Sequence, residues 1–140
     1  MSPDVLVICE SKQNNTCFIK NFFGKNNYDV FQRKESGILI AAKKKYKLVE
    51  TTCTSHRNIL TGRLIVHDTP IRIIAVYGLQ ETCCADQREE FYEELCTEIE
   101  NCSFHSDNPL IAGDFNSKLD LQNDALVPLT PNGKLLLDMV

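Results

Sequence analysis

Three short apolar runs constrain this chain more than any other feature: residues 5–9 (VLVIC), 71–76 (IRIIAV) and 110–112 (LIA). Residues 5–9 and 110–112, with no polar side to give to water, predict buried strands, as in a layered α/β protein. Each run also ends abruptly in polar chemistry: the first in Glu10, the second in Tyr77, and the third, through Gly113, in Asp114-Phe115-Asn116. Asp, Asn and Gly are the usual turn formers, so a turn alone accounts for GDFN. Open α/β sheets, however, collect ligand sites at the ends of their strands. Three such ends in one chain raise a second reading, an active centre.

The remaining pattern fits the same class. Residues 14–23 predict a short helix ended by Gly24, and residues 28–32 and 37–42 predict consecutive strands. Residues 47–52 alternate weakly and predict another strand. Residues 62–67 and 71–76 predict a hairpin closed by Asp68-Thr69-Pro70. A strong helix is predicted over residues 85–100, with Phe91, Leu95 and Ile99 striping one face and Tyr92 and Cys96 beside them. Its acidic run (Glu89, Glu90, Glu93, Glu94, Glu98 and Glu100) reads as a solvated surface. Residues 117–131 read as loop and residues 132–140 as an apolar helix led by Asn-Gly. Several strands, a helix, then a strand and a helix make an α/β layered sandwich rather than a regular βαβ repeat.

With 140 residues and no repeat or linker, one domain is expected, long enough to bury a core. With a net charge of −4 the whole molecule does not advertise nucleic-acid binding by bulk electrostatics; a DNA partner would need a local basic patch or a metal ion. Lys43, Lys44 and Lys45, with Lys47, form the dense basic patch of the sequence, at a predicted turn. They read as a solvated turn or as a phosphate-backbone contact, and without interleaved aromatics they make no single-strand stacking platform. Seven cysteines, an odd number without CxxC, argue against a disulfide framework or a zinc site and for a reducing, intracellular setting. No segment approaches the roughly 20 apolar residues of a membrane span, and the N-terminus lacks signal-peptide character. No obligate protein partner is evident.

Side chains at i and i+2 of a strand share a face, so Asp114 and Asn116 are expected side by side with Phe115 turned to the core. A carboxylate there can orient and deprotonate water, and a carboxamide N–H can hold a developing phosphoryl oxyanion. Glu10, where the first strand surfaces, suits Mg²⁺, which takes hard oxygen donors and few protein ligands. Each residue singly also has an ordinary reading: an exposed loop Glu, a core Tyr with a surfacing hydroxyl, an Asx turn.

Taken in order, PDVLVICES, GILIAAKKK, IRIIAVYG with Gln80-Glu81, and PLIAGDFNSKL resemble the endonuclease/exonuclease/phosphatase superfamily, above all the apurinic-like endonuclease domain of LINE-type (non-LTR) retrotransposons. The resemblance covers nearly the whole chain. It implies a sandwich of two β-sheets flanked by helices and a Mg²⁺-dependent endonuclease, with Mn²⁺ as a substitute ion, that nicks DNA in the nucleus. It implies Glu10 as the metal ligand, Asp114 as the residue that activates water, and Asn116 and Tyr77 as phosphate-holding groups.

The resemblance also implies an earlier strand bearing an Asn, and later strands bearing a second Asp and a terminal Ser-Asp-His or Asp-His pair. The sequence contains neither, and none of His56, His67 and His105 matches that pair. Residues 1–140 are therefore expected to form a partial domain, truncated at both ends and weakly active or inactive. Two alternatives stand beside the endonuclease: a non-catalytic remnant or binding module of the same fold, and a phosphatase of the same superfamily.

Overall fold

In the computed structural model, which describes residues 2–122 and 125–139, the chain runs β1 (Val5–Ile8), α1 (Thr16–Lys25), β2 (Tyr28–Arg33) and β3 (Ile38–Lys43). A 3-10 turn over Lys44–Tyr46 leads to β4 (Val49–Glu50), β5 (Ile59–Val66) and β6 (Thr69–Tyr77). Then come α2 (Ala85–Phe104), β7 (Asn108–Asp114), β8 (Leu119–Gln122), β9 (Ala125–Pro128) and α3 (Pro131–Met139). One sheet has the order β1-β3-β2, all antiparallel. The second has the order β4-β5-β6-β7, antiparallel except for its last pair, β6 with β7. The hairpin β8-β9 stands apart.

Strand alternation explains the layering. On β3, Ile38, Ile40 and Ala42 face the second sheet and meet Leu60, Leu64, Ile73 and Ala75. The other face of β3, Leu39 and Ala41, is covered by Ile19 and Phe23 of α1. On β6, Ile74 and Val76 point away from the first sheet and are covered by Phe91, Tyr92, Leu95 and Cys102 of α2, with Leu135, Leu136 and Met139 of α3 beside them. The result is four layers: helix, sheet, sheet, helices. Burying each large aliphatic side chain of these interfaces contributes about 1.5–3 kcal/mol.

Several expectations shift. Helix α1 starts at Thr16 because the Asn15 side chain accepts the Phe18 N–H at 3.0 Å. Gly24 lies inside it, and the left-handed residue just past its end is Asn27, with φ +66°. The β5-β6 hairpin closes at His67-Asp68, with φ +48° and +62° as a two-residue primed turn requires, so Thr69 and Pro70 belong to the strand. Of residues 47–52 only Val49–Glu50 pairs, and α2 runs on to Phe104. Residues 117–131 are not all loop, since they contain β8 and β9; residues 123, 124 and 140 lie outside the described residues. Strands β1 and β7 are outermost in their sheets and only part-covered, Leu110 being 53% exposed, so neither is buried on both faces as its apolar run implies.

The acidic stripe of α2 contains the largest correction. Glu98 is 0% exposed; its Oε1 accepts the backbone N–H groups of Cys53 and Thr54 at 2.8 and 2.7 Å. Glu94, one turn earlier, accepts the Thr54 hydroxyl. From the other side, Arg33 donates to the carbonyls of Thr54, Ser55 and His56 at 3.1–3.3 Å. Loop 53–58 is thereby clamped between the first sheet and α2. Hydrogen bonds to a charged group contribute about 1.5–3 kcal/mol, and a buried donor left unpaired adds to the loss. Glu98→Ala is expected to cost about 3 kcal/mol in urea denaturation, whereas Glu93→Ala, on the exposed face, stays within about 0.5 kcal/mol.

Candidate active site

The parallel register sets the geometry: β6 and β7 run side by side with Tyr77 opposite Asp114. Counting back by twos from Tyr77 gives Ala75 and Ile73, both in the core between the sheets, so Tyr77 faces the first sheet as well. The same count from Asp114 gives Ala112 and Leu110. These face Val5, Val7 and Cys9 across an open cleft of about 540 Å³. The carboxyl ends of β1, β6 and β7 thus converge at one mouth.

Glu10 enters this mouth through a left-handed turn, with φ +54°. The turn is fixed by the Ser11 N–H donating to the Gly37 carbonyl at 2.8 Å, and Gly37 (φ +69°) lies so close to Ser11 that a Cβ there would collide with its backbone. The Tyr77 hydroxyl donates to Glu10 Oε1. Asn58, buried and otherwise inconspicuous in the sequence, holds Tyr77 at both ends of its peptide: its Nδ2 donates to the Tyr77 carbonyl at 2.6 Å, and its carbonyl accepts the Tyr77 N–H at 3.0 Å.

Asp114 and Asn116 do not share a face by strand alternation. β7 stops at Asp114, and Asn116 adopts φ +46°. The Asn116 N–H donates to Asp114 Oδ1 at 2.8 Å, an Asx turn, while its Nδ2 donates to the Gly78 carbonyl at 2.6 Å. Phe115 turns into the core beside Ile59, Ile74 and Val76, as alternation predicts. Gly78 has no room for a Cβ because the Phe115 backbone lies directly against it, and its N–H donates to the Asp114 carbonyl at 2.6 Å.

Behind this turn sits Asn132, 1% exposed, which the sequence marks only as the start of a helix. Its Nδ2 donates to the carbonyls of Leu79 (2.7 Å) and Asn116 (3.0 Å). Its N–H donates to Glu81 Oε1 at 3.1 Å, and its carbonyl accepts the Tyr92 hydroxyl. Glu81 is itself held by Arg88 at 3.1 Å. One buried amide therefore joins the segment after β6, the segment after β7 and helix α2.

The hydrogen bond to Glu10, aided by burial and by the charges of Glu10 and Asp114, pushes the Tyr77 phenol up to about 12. Tyr77 is a neutral donor throughout the physiological range. Burial pushes the Cys9 thiol up, with Asp114 and Glu10 adding to the rise, and its Sγ donates to the Val76 carbonyl at 3.2 Å. A thiol so held is a poor nucleophile. His56 packs its ring against Phe91 and accepts the Asn58 N–H on Nδ1; burial lowers its pKa. His67 lies in the hairpin turn and His105 at the end of α2, both at the opposite end of the second sheet.

Lys43, Lys44 and Lys45 are not brought to this mouth. β3 begins at Ile38, beside the Gly37–Ser11 contact, and Lys43 is its far end. There Lys43 and Lys45 pair with Asp4 at 2.8 and 3.6 Å. Among the described residues no three His, Cys, Asp or Glu side chains gather as a metal cage. The exposed carboxylate of Glu10 has the chemistry Mg²⁺ takes, since that ion keeps several waters and needs one or two carboxylates plus substrate oxygens.

No family model matches the sequence, and no curated protein matches it. Solved structures do. The chain superposes on the human Nocturnin catalytic domain with bound sulfate anion (TM-score 0.65, 13% identity), covering 94% of this chain and 55% of that one. It also superposes on an AP endonuclease from Archaeoglobus fulgidus (TM-score 0.58, 18% identity; 82% and 48%) and on a beta toxin from Staphylococcus aureus (TM-score 0.60, 15% identity; 99% and 58%). The chain thus spans about half the length of these structures. Likeness at this level of identity establishes architecture, and the architecture is the endonuclease/exonuclease/phosphatase fold: two β-sheets packed face to face and flanked by helices.

Proposed function

We propose that this chain is the core of a metal-dependent phosphodiesterase, a DNA-nicking endonuclease domain of the LINE retrotransposon type acting in the nucleus. The observation that carries the reading is the joint placement of Tyr77 and Asp114 in register on parallel strands, with Glu10 bonded to the one and Asn116 to the other. The LINE-type assignment rests on the likeness of the YG-x-QE motif to that family, and in this chain its Glu81 is tied through Asn132 to the Asn116 turn.

Glu10 would hold Mg²⁺ or Mn²⁺, which when bound polarises a phosphate and stabilises the leaving oxygen. The chain's own groups do the rest. Asp114 has one oxygen committed to the Asn116 N–H, which leaves Oδ2 to orient a water and accept its proton as the water attacks in line with the departing oxygen. The Asn116 amide spends one N–H on Gly78 and keeps the other for a non-bridging oxygen. Tyr77, protonated at neutral pH, turns its hydrogen from Glu10 to a second non-bridging oxygen when the phosphate arrives.

Two measurements test this reading. With Mg²⁺ and supercoiled plasmid, the chain is expected to nick slowly, to stop when the metal is chelated, and to lose about 10²–10⁴-fold of its rate in Asp114→Ala. Nicking unchanged by Asp114→Ala overturns the assignment of Asp114, and no turnover at any metal concentration overturns the enzymatic reading in favour of a binding module. Second, an ultraviolet titration of wild type minus Tyr77→Phe is expected to place Tyr77 ionisation at about pH 12. In Glu10→Ala that ionisation falls toward the ordinary tyrosine value, since the carboxylate that favours the neutral phenol is gone.

A further inference from the structure

The second sheet carries a charged cavity at the end away from the mouth. On β6, Ile74 and Val76 lie under α2, and strand alternation puts Arg72 on the same face. Arg63 of β5 stands directly opposite Arg72 in the antiparallel register, so two like charges meet across the strands. Asp107, its side chain fully buried, bridges them: Oδ1 accepts Arg63 Nε, and Oδ2 accepts Arg72 Nε and Nη2. One carboxylate thus faces two guanidiniums, and a positive charge is left over. Among the described residues neither arginine pairs with another acid; Glu98, which accepts the Cys53 N–H, forms an ion pair with neither.

Donors are left over as well. Arg63 commits Nε alone and keeps both Nη groups, while Arg72, 3% exposed, has its Nη1 without a hydrogen-bond partner. The carbonyls that end α2 do not take these donors: Asn101, Cys102 and Ser103 accept the backbone N–H groups of His105, Asp107 and Ser106. A buried charge in excess and a buried donor unpaired are both destabilising, and an anion relieves both. The two arginines and Asp107, with Thr51, Cys53 and His105, line a cavity of about 350 Å³.

We propose that this cavity binds a phosphate oxyanion, either free or as the head of a small sugar phosphate. The Nη groups of Arg63 form the fork that matches two phosphate oxygens, and Arg72 supplies charge behind it. A carboxylate would be satisfied by the fork alone. A tetrahedral phosphate has further oxygens for the Thr51 hydroxyl and the His105 ring, which line the same cavity. The remaining space is walled by polar residues and Cys53, which suits a sugar rather than a nucleobase. Asp107 immediately precedes β7, so an anion held by its two arginines also strengthens the hold on the start of that strand. None of this depends on the phosphodiesterase reading of the Glu10–Asp114 mouth.

Isothermal titration calorimetry of the 140-residue chain with inorganic phosphate and with ribose 5-phosphate, in chelator at physiological salt, tests the site. Phosphate is expected to bind once per chain and to raise the melting temperature with its concentration, as a ligand of the native state does. Tighter binding of ribose 5-phosphate identifies the ester as the ligand; binding no tighter identifies the free anion. Arg63→Gln and Arg63→Lys are each expected to weaken binding at least about tenfold, since neither keeps the fork. Arg63→Lys retains the charge beside Asp107, so its melting temperature without phosphate separates loss of the site from loss of the fold. Asp114→Ala is expected to bind as wild type. Wild type that binds neither compound, a folded Arg63→Lys chain that binds as tightly as wild type, or binding lost in Asp114→Ala each overturns the proposal.

Discussion

The parallel pairing of β6 with β7 is the constraint on which the rest depends. Parallel neighbours cannot be joined by a tight turn, so the chain must cross over, and α2 is that crossover. The crossover has two consequences. It covers the outer face of the second sheet with Phe91, Tyr92 and Leu95, and it returns the chain so that both strands end at the same edge. An antiparallel partner would have put Asp114 at the far end of the sheet from Tyr77. At that far end Asp107, just ahead of β7, is buried between Arg63 (2.8 Å) and Arg72 (2.8 and 3.1 Å). Burial pushes its carboxyl up, but the two guanidiniums prevail and hold it below the usual carboxylate range. This ion cluster fixes where β7 begins, and hence which residue lies opposite Tyr77.

The mouth is held in place by contacts that span much of the chain. Tyr77 reaches Glu10, Asn116 reaches Gly78, and Asn132 reaches both Leu79 and Asn116. Each of the three polar strand ends is therefore supported by backbone groups rather than by flexible side chains alone. Such over-determination is what allows Glu10 and Asn116 to keep positive φ, which costs a non-glycine residue of order 1–3 kcal/mol.

Sequence reading recovered the parts of this design that depend on local period. The apolar runs became β1, β6 and β7, the stripe of Phe91, Leu95 and Ile99 became the buried side of α2, and the ends of the runs converged. Period could not tell an edge strand from a central one, because burial of β1 and β7 depends on which strands lie beside them. Nor could it find Glu98: on the helix it is one more acid in a solvated row, and only the fold brings the N–H groups of Cys53 and Thr54 to it. Asn132 escaped for the same reason, its partners being 16 and 53 residues away. Asn116 stands beside Asp114 by another route than the one expected, since a left-handed Asx turn and not strand alternation carries it. Lys43–Lys45, dense along the chain, lie at the far end of β3 from the mouth, where Lys43 and Lys45 pair with Asp4.

Net charge bears little on how an acidic protein would meet a phosphate ester. At physiological salt the Debye length is about 8 Å, so the net charge of −4 is largely invisible to a phosphate already at the surface, and the nearest few side chains decide the interaction. On the proposed phosphodiesterase reading, Glu10 and Asp114 repel phosphate at that range, and a divalent cation held by Glu10 would cancel part of that repulsion. An ammonium against Asp114 would instead hold the oxygen proposed to accept the proton of the attacking water. Among the described residues no Lys or Arg forms an ion pair with Glu10 or Asp114, which is what that chemistry asks of the centre.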